Sequence, residues 1–277
     1  MNLAVIELPD YNPGMATYLT DHALCLRVID FSETSQVVSL LTANHGLIPM
    51  IAKGAKRVSK NGTSTFSGSL DLLVTGQAVF IPAKAASDLG TLTAWQLLNH
   101  QTRLRTTLPA LYAGMLCAEI TLAVLHPHDP HPEVFTELTA TLELLPTPQQ
   151  PRALVAYAKA ALVAAGYQPQ LESCVGCDRP ITPEEPAAFS PRAGGILCAN
   201  CHPNVPAKTL TPVSGRIALA LDRLPAPHEI LAAPPENTGD PSALRQALLL
   251  LLSQIETISE RPLRTRSILP LIFPDPT

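Results

Sequence analysis

Val37-Val38-Ser39-Leu40-Leu41-Thr42-Ala43-Asn44-His45-Gly46-Leu47-Ile48-Pro49-Met50-Ile51-Ala52 is the stretch on which the fold turns. Two aliphatic runs flank the turn signal Asn44-His45-Gly46, so the segment reads as two strands joined by a turn. Just upstream, Leu24, Leu26 and Val28 alternate with Cys25, Arg27 and Ile29, the two-residue period of a strand. Downstream, residues 70–74 and 77–81 supply two more strand candidates, joined at Thr75-Gly76. Residues 54–69, rich in Gly, Ser, Thr and Lys, read as a long loop between strands. The lead-in before these strands carries Pro9, Pro13 and Gly14 and reads as extended. Short strands separated by turn residues at this spacing predict a small antiparallel barrel or sandwich.

After about residue 90 the period changes. Trp95, Leu97, Leu98 and Leu104 open a helical texture. Leu111, Met115, Ala118, Leu122 and Leu125 then recur at three- and four-residue spacing behind a helix start at Pro109. Val134, Leu138, Leu142 and Leu145 form a second stripe, and the Ala-rich residues 153–165 end at Gly166. Residues 174–201 interrupt the pattern with Cys, Pro and Gly. Helices resume over 213–224 and 242–258. The expected class is α+β and multidomain: an all-β unit over 1–85, then an α-helical unit over 86–277 with a small insert at 174–201. No internal repeat is visible.

Composition narrows the classes. At 277 residues, 46% of them hydrophobic and 15% charged, the chain can bury a core and suits two domains. Its net charge of -4 makes it no polycation, so any nucleic-acid binding must use a local patch. No apolar run approaches the ~18 residues of a membrane span. The first ten residues carry Glu7 and Asp10 and no Lys or Arg, unlike a secretory signal. A cytosolic, reducing location is therefore expected, with thiols or metal ligands rather than disulfides.

The strongest chemical signal is Cys174-Val175-Gly176-Cys177, twenty residues, then Cys198-Ala199-Asn200-Cys201. Two such knuckles predict one structural zinc ion held by Cys174, Cys177, Cys198 and Cys201. Four thiolates leave no open coordination position, so this site would not activate water. A redox CxxC and unrelated buried thiols are the competing readings. The first usually opens a helix in a βαβ context, which the pattern lacks. His202 is a possible competing ligand, disfavoured by the paired spacing. Cys25 and Cys117, on apolar stretches, read as core residues.

The second signal is basic. No acid occurs between Glu33 and Asp71, whereas Lys53, Lys56, Arg57 and Lys60 fall within eight positions. On a small barrel this run makes a phosphate-contacting rim, which Arg27 on a neighbouring strand could extend. The competing reading is a loop that is basic only for solubility. Phe31 and Phe66 are the stacking candidates nearby, and either could be core. Residues 127–190, by contrast, hold eight acids against three bases. His126-Pro127-His128-Asp129-Pro130-His131-Pro132 reads as a stiff loop between helices rather than a metal site. Phosphate-cradling, GxSxG and HExxH motifs are missing, so an enzyme is not expected.

These pieces together resemble the bacterial RecO family of recombination mediators. The resemblance rests on Ala23-Leu24-Cys25-Leu26-Arg27, Glu33-Thr34-Ser35, Leu40-Leu41-Thr42 with His45-Gly46, and Ala52-Lys53-Gly54-Ala55-Lys56-Arg57. It continues through Gly166-Tyr167-Gln168-Pro169-Gln170-Leu171, the four cysteines with Phe189-Ser190 and Gly194-Gly195-Ile196-Leu197, and Arg261-Pro262-Leu263-Arg264-Thr265-Arg266-Ser267. It departs at Phe66-Ser67-Gly68-Ser69-Leu70, where members usually carry a Leu-Gln-Pro-Phe-like stretch. The resemblance implies an N-terminal OB-fold and a helical C-terminal domain with a zinc-binding insert. It implies binding to single- and double-stranded DNA and annealing of complementary strands. It also implies partnership with RecR and single-stranded-DNA-binding protein, a functional link to RecA, and a cytoplasmic, nucleoid-associated location. The match at Lys53, Lys56 and Arg57 carries a DNA-contact role onto those residues. The alternative readings are a zinc-stabilised protein-interaction scaffold, or a regulator whose basic run binds a small phosphate ligand.

Overall fold

The structure is a computed structural model that describes residues 17–56, 65–83 and 89–273. Strands β1 (Leu19–Asp30), β2 (Gln36–Thr42) and β3 (Gly46–Ala52) form an antiparallel meander. Strand β5 (Thr75–Ile81) pairs antiparallel with β1 and with β6 (Gly90–Asn99). The parallel pairing of β6 with β3 closes a five-stranded barrel, and the two-residue β4 (Phe66–Ser67) pairs parallel with β6 further along, at Trp95–Gln96. A five-stranded barrel with this order has the OB-fold arrangement.

The two-residue period sorts the strand side chains into two sets. Ala23, Cys25, Val28, Val38, Leu40, Ile48, Met50, Ala52, Phe80, Leu92 and Trp95 point inward or pack on the barrel interior. The outward set splits again. Leu24, Leu26, Leu41 and Leu47 are buried under the helices. Arg27 and Ile29 are exposed, and Val37, Ser39, Pro49 and Ile51 are half-buried. A β-bulge makes this split possible. Cys25 faces Leu40 and Arg27 faces Ser39, so Leu26 is the extra residue. The bulge shifts the parity of β1, so that Leu24, Leu26, Arg27 and Ile29 all point outward.

Two expectations give way here. Trp95, Leu97 and Leu98 lie in β6, not at the start of a helix, so the barrel runs past residue 85 to Asn99. Hydrogen bonding to β5 and β3 on its two sides overrides the weak helical period of that stretch. Residues 70–74 are not a strand either. Leu73 takes a left-handed backbone (φ 65°), and its N–H donates to Cys25 O at 2.7 Å, making a turn into β5.

The helical part begins at α1 (Leu108–Val124), whose N-cap Thr107 accepts from Ala110 N–H and whose second residue is Pro109. Helices α2 (Pro132–Leu144) and α3 (Gln150–Ala164) follow. Gly166 (φ 82°) ends α3, and Tyr167 N–H donates to Leu162 O at 2.8 Å, the glycine C-cap that the sequence predicts. A three-stranded sheet of β7 (Pro186–Ser190), β8 (Gly195–Cys198) and β9 (Thr211–Ser214) carries the cysteines. Then come α4 (Gly215–Asp222), α5 (Pro227–Ala232), α6 (Pro241–Ser259) and α7 (Leu269–Ile272). Glu119 on α1 ties down the tail by accepting from the N–H groups of Arg264 (2.8 Å) and Thr265 (2.9 Å).

One core joins the two parts. Leu24, Leu26, Leu41, Leu47 and Leu73 of the barrel pack with Leu116, Ile120, Leu138, Leu162 and Leu251, and onward with Phe189 and Ile196. The proline-histidine loop before α2 adds a second joint. His128 N–H donates to Leu47 O at 2.9 Å, and a Cβ on Gly46 would stand 2.1 Å from Asp129 O. Only glycine allows that approach, and its φ of 75° suits glycine too.

Candidate metal centre and nucleic-acid interface

Each CxxC forms a tight turn. Asp178 N–H donates to Cys174 O (2.7 Å), and Cys201 N–H donates to Cys198 O (3.0 Å) at the end of β8. The segment leading into the first knuckle bonds along β8, with Val175 N–H donating to Ile196 O at 2.8 Å and Ile196 N–H to Gln170 O at 2.9 Å, so the sulfurs of Cys174, Cys177, Cys198 and Cys201 all lie within 4.8 Å of one another. Cys177 Sγ and Cys198 Sγ are 3.8 Å apart. Ligands at Zn–S distances of ~2.3 Å on a tetrahedron are also about 3.8 Å apart, so the donor set fits such an ion. The four sulfurs could therefore hold a metal ion, and His202 is not part of the cluster.

The surroundings favour thiolate. Burial pushes the Cys198 thiol up, but hydrogen bonds from Arg179 and from the Asn200 and Cys201 N–H groups outweigh it and bring it down to about 6. Burial likewise raises Cys174, and donation by Cys198 N–H (3.3 Å) and Gly176 N–H (3.4 Å) more than offsets this, leaving it lowered. Cys201 is pushed up to about 12, because its sulfur neighbours favour keeping its proton. Four sulfurs this close cannot all ionise unless a cation sits among them. Cys25 and Cys117 are buried and lie outside the cluster, and burial raises Cys25 to about 12, as core thiols should behave.

The described basic residues border the exposed part of the outer face of β1–β3, Arg27 at mid-strand and Lys53 and Lys56 just past the end of β3. Arg27 stands exposed on β1 just after the bulge, and Lys53 is exposed in the turn after β3. Lys56 is held near them, with its N–H donating to Thr34 O at 3.2 Å. Its ammonium pairs with Asp30 at 2.7 Å, a partner that distance along the chain conceals. The Lys56 hydrogen bond, with one from Gln36, holds the Asp30 carboxyl below its usual value. Arg57 and Lys60 lie outside the described residues. Phe66 packs against the barrel interior, whereas Phe31 is 67% exposed at the β1–β2 turn. Sequence reasoning missed Ile29, and it could not assign Phe31 to the surface without the bulge.

Sequence comparison decides the family. The family model described as "Recombination protein O N terminal" matches residues 15–101, and that described as "Recombination protein O C terminal" matches 105–267. The chain belongs to the RecO family. A "DNA repair protein RecO" of Anaeromyxobacter sp. (strain K) is 34% identical over 250 residues, covering 90% of this chain and 94% of the relative. The protein so named in Myxococcus xanthus is 30% identical over 219 residues, 76% of this chain and 86% of its own. That of Rhodopirellula baltica is 33% identical over 184 residues, 66% of each chain.

Membership in the RecO family places the chain in recombinational DNA repair. The two RecO matches meet between residues 101 and 105, where β6 has ended and α1 is about to begin, so the family division and the fold division coincide. Among the described residues no helix is long and apolar enough to cross a membrane.

Proposed function

We propose that this protein is a non-catalytic mediator that binds single- and double-stranded DNA through its barrel and anneals complementary strands. The observation that carries the reading is the part of the outer face of β1–β3 that no described element covers, with Arg27 at mid-strand and Lys53 and Lys56 past the end of β3. Arg57 and Lys60 continue the basic run in sequence. Lys and Arg at these positions displace counterions condensed on phosphates, the sequence-independent part of nucleic-acid binding. Annealing by this route needs neutralised charge and aligned strands and breaks no covalent bond, so it proceeds without ATP. The metal is one structural Zn2+ bound by Cys174, Cys177, Cys198 and Cys201, which when bound closes the β7–β8 unit. Family membership supports RecR and single-stranded-DNA-binding protein as partners and RecA loading as the outcome, in the nucleoid.

Binding of a labelled oligonucleotide across a salt series tests this. Four phosphate contacts, by Lys53, Lys56, Arg57 and Lys60, imply a log–log slope of roughly -3 for single strands, at about -0.7 per contact. A slope near zero, or annealing that depends on added ATP, overturns the reading.

A further inference from the structure

We propose that the uncovered outer face of the barrel is a platform for unpaired nucleobases, with Phe31 as the side chain on which a base stacks. This deepens the DNA-binding reading and rests on it. Ile29, Val37 and Ile51 stand side by side on β1, β2 and β3, since Ile29 faces Val37 and Val37 faces Ile51 in the register. They make an apolar row across three strands, with Ile29 44% exposed. Arg27 lies two residues from Ile29 on one side, about 7 Å along β1, and Lys53 follows Ile51 by two residues on the other, just past the end of β3. Among the described residues, the outward positions of this half carry the cations Arg27 and Lys53, while Asp30 and Glu33 are exposed at the β1–β2 turn, Asp30 with its charge paired to Lys56.

Phe31 stands at the rim of that row and is the most exposed of the large hydrophobic side chains described. Its backbone is fixed. Phe31 N–H donates to Ser35 O at 3.0 Å, and Ser35 N–H donates to Ser32 Oγ at 3.1 Å, closing the turn. A phenyl ring held in water by a closed turn has its faces free, and a base has a π-face to meet it whatever its identity. The cations on both flanks match a ligand that is apolar along its middle and anionic along its edge. An unpaired strand has that form, and a duplex, whose bases are stacked on each other, does not present it. A protein partner of ordinary size would need a much wider apolar patch than one row of three aliphatics. The site therefore biases the protein toward single strands, while the phosphate contacts serve both forms of DNA.

The test compares three probes of equal length: an oligo-dT, an abasic strand with the same phosphates, and a duplex. The parent is expected to bind oligo-dT more tightly than the abasic strand. Phe31→Ala should lower oligo-dT affinity roughly 5- to 150-fold, the span of one base–aromatic stack, and leave the abasic and duplex affinities in place. Phe31→Trp should keep the preference, and Ile29→Ala should reduce it less than Phe31→Ala. Equal binding of oligo-dT and abasic strand by the parent overturns the platform while leaving the phosphate reading standing. So does a Phe31→Ala protein that keeps its preference. A parent that binds none of the three probes overturns both. If Phe31→Ala changes the sedimentation of the protein alone, the face is a contact between copies and the proposal falls.

Discussion

The outer surface of β1–β3 has two halves built from the same strands, and they differ in what lies over them. Toward one end, Leu24, Leu26, Leu41 and Leu47 meet α1 and α2 and their neighbours and disappear into the main core. Toward the other, Arg27 and Ile29 are exposed and Val37 and Ile51 half-buried, with no described helix packed over them. The border on β1 is a single bulged residue, Leu26. One sheet can thus serve both as a docking surface for its own helices and as a free face for a ligand. A change of side-chain parity suffices, without a change of strand. On the covered half a substitution is felt as stability, and on the free half as binding.

The covered half can be stressed from a distance. Cys174 and Cys198 belong to the same continuous core as Leu24 and Leu26. Cys198→Ser is therefore expected to lose the metal, about one ion per chain, and to cause a larger fall in thermal stability than any single substitution on either half of the barrel face. Metal content by mass spectrometry of the native protein, read beside a melting curve, checks it. A metal-free variant that melts like the parent would separate the cysteine unit from the covered half.

Next in size is the contrast between neighbours on β1. Leu26→Ala should cost ~2–5 kcal/mol of stability, the range for emptying a packed core site. Ile29→Ala, three residues on and half exposed, should cost well under ~1 kcal/mol. Denaturant titrations of the two single variants give both numbers, and equal costs would erase the border between the halves.

A smaller effect belongs to the turn beneath the covered half. Asp21 is buried, and it accepts hydrogen bonds from Asn44 N–H (2.8 Å), Asn44 Nδ2 (2.9 Å) and His45 Nδ1 (2.8 Å). Burial raises this carboxyl, but the bonds from His45 and Asn44 outweigh that and hold it below its usual value. A carboxyl lowered on folding stabilises the fold above its unfolded value and ceases to do so as pH falls through the folded one. Stability should thus drop below about pH 4 more steeply in the parent than in Asp21→Asn. Matching acid limbs for the two proteins would count against the role of Asp21. The smallest effect is on the free half. Asp30→Asn removes the anion that pairs with Lys56, and should tighten oligonucleotide binding by roughly twofold at low salt with no change in melting.

Much of this was legible in the sequence. The hairpin over 37–52 is where the turn at Asn44-His45-Gly46 puts it, and the α1 and α3 caps sit at Pro109 and Gly166 as read. The four cysteines converge because the motif itself supplies the two short-range turns, and bonds between residues 170–175 and β8 bring them together. What stayed hidden depends on long-range pairing. Strand β6 reads as the start of a helix because irregular pairing near Val79–Phe80 breaks its two-residue period. The Lys56–Asp30 pair joins residues from opposite ends of the meander. The proline-histidine stretch reads correctly as a loop between helices, yet nothing local says that Asp129 seats against Gly46. The bulge at Leu26, which decides what Arg27 faces, leaves no mark in composition or spacing.

The central claim, that the free half binds DNA and the covered half does not, is met most directly by one doubly substituted protein. Arg27→Glu with Lys53→Glu reverses both cations flanking the apolar row and touches no buried residue. Oligonucleotide affinity at low salt, measured beside the melting temperature, is the reading. The expected result is binding weakened alike for every sequence, because phosphate contacts carry no base information, with the melting temperature unchanged. A folded double variant that binds single-stranded DNA as tightly as the parent would contradict the account and place the DNA elsewhere on the molecule.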